Sequence, residues 1–150
     1  MILNTYKLQL IKENGKSYPA HGRTLDSPSK VANLLFDLDV DKEPIETLYL
    51  LLFDARLRLI GLSRLSTGTA TMSIVDPKAI LQTALLSNAT GIMLAHNHPS
   101  GDCSPSLEDR HSTDKVKQVC DLVGIHFHDH LIIGHDGQYF SLADYGMLED

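Results

Sequence analysis

The chain lacks the features that would carry it into or across a membrane. Its longest apolar stretch, Leu48 to Phe53, falls far short of the roughly 20 residues of a membrane span, and Met1 is not followed by the charged and apolar regions of a secretion leader. Cysteine is scarce: Cys103 and Cys120 stand 17 positions apart without a CxxC partner, which fits a reducing compartment better than a disulfide framework. A cytoplasmic protein with two free thiols is expected. Also missing are a Pro/Gly/Ser-rich linker, a run of like charge and a repeat of 20–50-residue period, which leaves little room for disorder or a solenoid.

A positive surplus is missing too. The 150 residues carry a net charge of −6, a poor balance for a protein whose main work is gripping phosphates. The charge is uneven: residues 1–30 hold Lys7, Lys12, Lys16, Arg23 and Lys30 against Glu13 and Asp26, a local +3 that leaves −9 for the rest. Nucleic acid is therefore a weakly supported partner, and five scattered cations read more simply as a solvated surface.

With 43% hydrophobic residues, the length suits one compact domain spanning 1–150. "YKLQLIKENGKSY" alternates apolar and polar positions around Asn14-Gly15, which predicts an N-terminal β-ribbon over 1–27 ahead of a core over 28–150. Ser27-Pro28 opens an amphipathic helix, with Val31, Leu34, Leu35 and Leu38 on one face. "TLYLLLF" (Thr47 to Phe53) and "LRLIGLSRL" (Leu57 to Leu65) read as a central hairpin. Asp76-Pro77 starts a second helix leading into a short buried strand, "GIMLA", Gly91 to Ala95. Ser104-Pro105 starts a third, with Val116, Val119, Cys120 and Val123 on its core face and Gly124 as its stop. "IHFHDHLIIG" and "QYFSL" close the sheet as another hairpin. The expected fold is α/β: a single three-layer α/β/α domain with a mixed central sheet.

The chemistry gathers where the "GIMLA" strand ends, in "HNHPSGDCSPSLED". Side chains two apart on a strand share a face, about 6.6 Å apart at Cα, so His96 and His98 can converge on one ion. Zinc accepts imidazole nitrogens and carboxylate oxygens, and a catalytic site keeps three protein ligands with the fourth place open. Asp109 is the natural third ligand: Ser106 and Asp109 are three apart at the start of the third helix, and the Pro-Ser-Gly-Asp turn, with its permissive Gly101, brings them back. Taken alone, such an aspartate could be no more than a partner of the helix dipole.

H-x-H, seven residues, Ser, two residues and Asp resembles the JAMM/MPN+ metalloprotease signature, here His96-Asn97-His98, Ser106 and Asp109. "HNHPSGD", "PSLED" and the downstream "DHLIIG" are similar to the RadC family in particular, over roughly Glu46 to Leu148. The resemblance implies a JAB/MPN fold, related to that of cytidine deaminases, and a zinc-dependent hydrolase of peptide or isopeptide bonds with one zinc per chain. It also implies an upstream glutamate that activates water. Glu46, directly before the "TLYLLLF" strand, matches that position; Glu43 competes, but precedes Pro44 in an expected loop. In this reading Glu46 is the general acid–base. Ser106 steadies the oxyanion or orients the water, or else merely caps its helix.

Other readings weigh less. The tripeptide His96-Asn97-His98 is not the dispersed residue set of an HNH nuclease, and a nucleobase deaminase needs H-x-E with P-C-x-x-C. His126, His128 and His130 alternate along one strand and could bind a second metal, or simply form a half-buried polar face; Cys103 could reach the ion as a soft ligand. His21, His111 and His135 have no spacing partners. Longer RadC-like proteins carry a helix-hairpin-helix portion associated with DNA binding, for which this sequence has no room. The opposing function is a DNA-repair-associated module that binds DNA or a protein, with a structural metal.

Overall fold

A computed structural model of the protein describes Lys7, Ile11, residues 24–67 and residues 75–148. These form helix α1 (Pro28–Asp37), a 3-10 turn (Val40–Lys42), strands β1 (Thr47–Phe53) and β2 (Leu59–Thr67), helix α2 (Pro77–Leu86), strand β3 (Gly91–Asn97), helix α3 (Leu107–Val123), and strands β4 (His126–Ile133) and β5 (Tyr139–Ser141). The ribbon read from residues 1–27, with its Asn14-Gly15 turn, lies outside the described residues except at its last positions. There Thr24 makes an antiparallel bridge to Arg58.

The five strands lie in the order β2-β1-β3-β4-β5. β3 and β4 run parallel, joined through α3, and the other neighbouring pairs are antiparallel, so the sheet is mixed as expected. β1 and β3 are buried at every position because helices cover both faces. Alternation along β1 sends Leu48, Leu50 and Leu52 to one side, against Ile80 and Ala84 of α2 and Val116 and Cys120 of α3. Tyr49, Leu51 and Phe53 face the other side, against Val31, Ala32 and Leu35 of α1. The result is the anticipated three layers, with α1 on one face and α2 and α3 on the other.

Local chemistry fixes most ends. Ser27 caps α1 and Asp76 caps α2, each followed by proline at the first helical turn. Gly124 ends α3 in the left-handed region, at φ 77°. Three boundaries differ from expectation. β2 begins at Leu59 rather than Leu57, because Asp54 accepts from the Arg56 and Arg58 amides and holds a turn in which Leu57 takes φ 57°. β3 continues two residues further, so His96 and Asn97 belong to the strand.

α3 does not start at Ser104-Pro105. The Asp102 carboxylate accepts from the Ser104 amide and extends the loop, and Ser106 is itself the cap: its hydroxyl accepts from the Asp109 amide at 3.0 Å, while the Asp109 carboxylate accepts from the Ser106 amide at 2.8 Å. The core face of α3 is also shifted. Asp109, Thr113, Val116 and Cys120 point inward, whereas Val119 is half-buried and Val123 exposed. No described helix is long and apolar enough to cross a membrane.

Candidate metal centre

β3 delivers His96 to the face covered by α3, in register with Leu48 of β1 and Ile132 of β4, where it is wholly buried. His98 lies just past the strand. Its amide donates to the Ile133 carbonyl at 2.9 Å, and its ring Nδ1 donates to the Asp102 carbonyl at 2.7 Å. Since Nδ1 holds that hydrogen, the free lone pair of a neutral His98 is on Nε2, turned inward. The turn that makes this possible passes through Gly101 at φ 86°, where a β-carbon would collide with the His135 ring.

The two Nε2 atoms stand 3.0 Å apart. Asp109 presents Oδ1 to His96 Nε2 at 3.3 Å and Oδ2 to His98 Nε2 at 3.4 Å. Glu46, immediately before β1, places Oε1 at 3.4 Å from His96 Nε2 and 3.8 Å from His98 Nε2. All four residues offer donor atoms within 4.8 Å of one another, a group that could hold a metal ion. Burial works against the Asp109 carboxylate, but the adjacent imidazoles of His96 and His98 outweigh it and hold the group far below the usual carboxylate range. His98 is raised, first by the neighbouring Asp109 carboxylate and against the pull of burial. Two imidazoles and two carboxylates crowded this closely could share one cation between them.

Glu43, the alternative glutamate, is engaged elsewhere. Its carboxylate accepts from the Tyr49 hydroxyl at 2.9 Å and from Arg64 at 3.1 Å, and burial together with Glu43 pushes the Tyr49 phenol up to about 12. What positions Glu46 is Asn97, which the sequence reading passed over. Its side-chain oxygen accepts from the Thr47 amide at 2.8 Å, and its side-chain nitrogen donates to the carbonyls of Glu43 and Ile45 at 3.1 and 3.2 Å. The residue between the two histidines therefore ties the Glu46 segment to β3 from the opposite strand face.

The histidines of β4 do not share one face. Ile92 pairs with Phe127 and Met93 with Asp129, so the strand bulges at His128 and the alternation reverses. His126 and His128 stack edgewise with ring centroids 4.7 Å apart, and the His128 ring lies where a β-carbon on Gly91 would be. His130 instead stands buried behind His96, with Nε2 at 2.8 Å from His96 Nδ1 and Nδ1 at 2.6 Å from the Thr113 hydroxyl. Among the described residues these three histidines form no metal-holding group, and Cys103 packs beside Gly134 rather than joining the four. His111 lies in a groove of about 600 Å³ beside the first turns of α2 and α3, with Val75, Pro77, Leu107 and Lys115; His21 lies outside the described residues.

An α/β sheet that gathers two histidines and two acids at one strand end defines a candidate metal-dependent domain, and comparison with known proteins narrows the class. Residues 25–147 match the family model described as the RadC-like JAB domain, and the chain belongs to that family. It is 38% identical to a UPF0758 protein of Actinobacillus pleuropneumoniae over 142 residues, covering 92% of this chain and 64% of the relative. A UPF0758 protein of Thermotoga maritima is 39% identical over 83% of this chain and 54% of its own length. One from Porphyromonas gingivalis is 41% identical over 70% and 46%. The chain thus spans less than two thirds of the length of these relatives.

Proposed function

We propose that the chain is a zinc-dependent metallohydrolase acting on a peptide or isopeptide bond, with His96, His98 and Asp109 as metal ligands and Glu46 as general acid–base. The observation that carries this reading is the 3.0 Å approach of the two Nε2 atoms, bracketed by the oxygens of Asp109 and Glu46. Two imidazoles and a carboxylate suit a borderline cation such as zinc, and three ligands leave a coordination place open. When bound there, zinc supplies Lewis-acid activation of water and of the scissile carbonyl.

The protein's own groups do the rest. Asp109 is 7% exposed and tied to the Ser106 amide, a rigid ligand at the helix start. The Glu46 side chain is 38% exposed, open to water and substrate as a proton carrier must be. It takes a proton from the attacking water and returns it to the leaving amine. The Ser106 hydroxyl accepts from the Asp109 amide and keeps its own hydrogen to donate to the developing oxyanion. Capping and catalysis are compatible roles for one hydroxyl.

The opposing reading, a DNA- or protein-binding module with a structural metal, would spend Glu46 as a fourth ligand closing the site, which its 38% exposed side chain does not favour. The test is hydrolysis of linear and isopeptide-linked fluorogenic peptides by the zinc-loaded chain and by Glu46→Gln. Zinc retention with loss of turnover supports the proposal. Undiminished turnover in that variant, or salt-sensitive DNA binding by a chain inert toward every peptide, overturns it.

A further inference from the structure

We infer that Thr113 and His130 are positioning residues that lock His96 in the tautomer able to bind a metal, through a chain of hydrogen bonds beginning at the backbone of Asp109. The inference rests on the metal reading above and extends it to two residues outside the ligand set.

The Thr113 hydroxyl oxygen lies 2.6 Å from the Asp109 carbonyl and 2.6 Å from His130 Nδ1. It has one hydrogen to give. A carbonyl oxygen can only accept, so if that hydrogen went to His130, two oxygens would face each other at 2.6 Å with nothing between them. The hydrogen therefore goes to the Asp109 carbonyl, and the hydroxyl oxygen accepts from His130 Nδ1. His130 has no exposed surface and its ring nitrogens meet only an imidazole and a hydroxyl, with no carboxylate to support a buried charge, so it carries one ring hydrogen; with that on Nδ1, its Nε2 carries a lone pair. His96 Nδ1, at 2.8 Å, is then the donor, which leaves the His96 Nε2 lone pair facing His98 and the two acids.

Reversing the relay would put a hydrogen on His96 Nε2, in the place of the metal. The relay also closes on itself: Asp109 offers its carboxylate to the site and its carbonyl to the chain that orients His96. Such outer partners of metal-bound histidines commonly account for a 10–100-fold difference in metal affinity.

The test has two arms. In a competition titration with a zinc chelator, Thr113→Val should bind zinc about 10–100-fold more weakly than the parent chain, while Thr113→Ser, which keeps the hydroxyl, should match the parent. Equal affinity of Thr113→Val and parent would overturn the relay and leave the metal site standing; a parent chain that binds no zinc would overturn the metal reading instead. The second arm needs no variant: nitrogen-15 NMR of the metal-free parent at mildly alkaline pH should show His96 and His130 protonated at Nδ1. A hydrogen on Nε2 of His96 overturns the inference whatever the zinc titration gives.

Discussion

The side chain of Asn97 and the backbone of Thr47, 50 positions apart, are joined by a buried 2.8 Å hydrogen bond that ties the Glu46 segment to the strand bearing His96. Asn97 also holds the Glu43 and Ile45 carbonyls, the second of them shared with the Thr47 hydroxyl, so the Thr47 amide and the Glu43 carbonyl depend on this one amide. Each group left unpaired costs about 1–3 kcal/mol. Asn97→Ala should lower the denaturant midpoint by a corresponding amount and reduce peptide turnover more than zinc affinity, because it loosens Glu46 and no ligand. An unchanged midpoint would show that these bonds are replaced by water without loss.

The two glutamates separate cleanly by substitution. Glu46→Gln should retain zinc and lose hydrolysis by a factor on the order of 10² to 10⁴. Glu43→Gln weakens an Arg64 pair that is half open to solvent, and should leave turnover intact at a cost below about 1 kcal/mol. The reverse ranking, measured on the same peptides, would assign the acid–base role to Glu43.

His128 predicts a pH effect. Burial first, then His126, lowers its folded value to about 4 from 6.5, so between these values the unfolded chain binds the extra proton. Stability therefore rises with pH across that window and is lost as pH falls from 6.5 toward 4. His98, raised by Asp109, acts in the opposite sense, so the comparison is made with His128→Gln rather than on the raw curve. The variant should flatten the dependence of the unfolding midpoint on pH between 4 and 6.5. An identical slope would show that His128 is hydrated in the folded state.

Much of this was legible in the sequence because the signals were local. β1 is legible over Thr47 to Phe53 because a strand buried on both faces is an almost unbroken apolar run, and Ser27-Pro28 and Asp76-Pro77 carry their capping chemistry within a few residues. His96, His98 and Asp109 announced themselves by spacing, and the structure brings them together with Glu46. What escaped depended on partners far along the chain or on one inserted residue. The bulge at His128 defeats period-two counting and sends His130 to the metal side. Asn97 acts on residues half a chain away, and no local pattern marks it. Pro105 imitates a first-turn proline, but the Asp102 turn carries the loop to Ser106.

The central claim is that one divalent cation sits among these side chains. Anomalous diffraction at the zinc edge from zinc-soaked crystals should show a single strong peak about 2.0–2.2 Å from Nε2 of His96, Nε2 of His98 and a carboxylate oxygen of Asp109, with Glu46 beside it and off the ion. A map with no peak there, or with its peak beside His126 and His128 instead, would contradict the account.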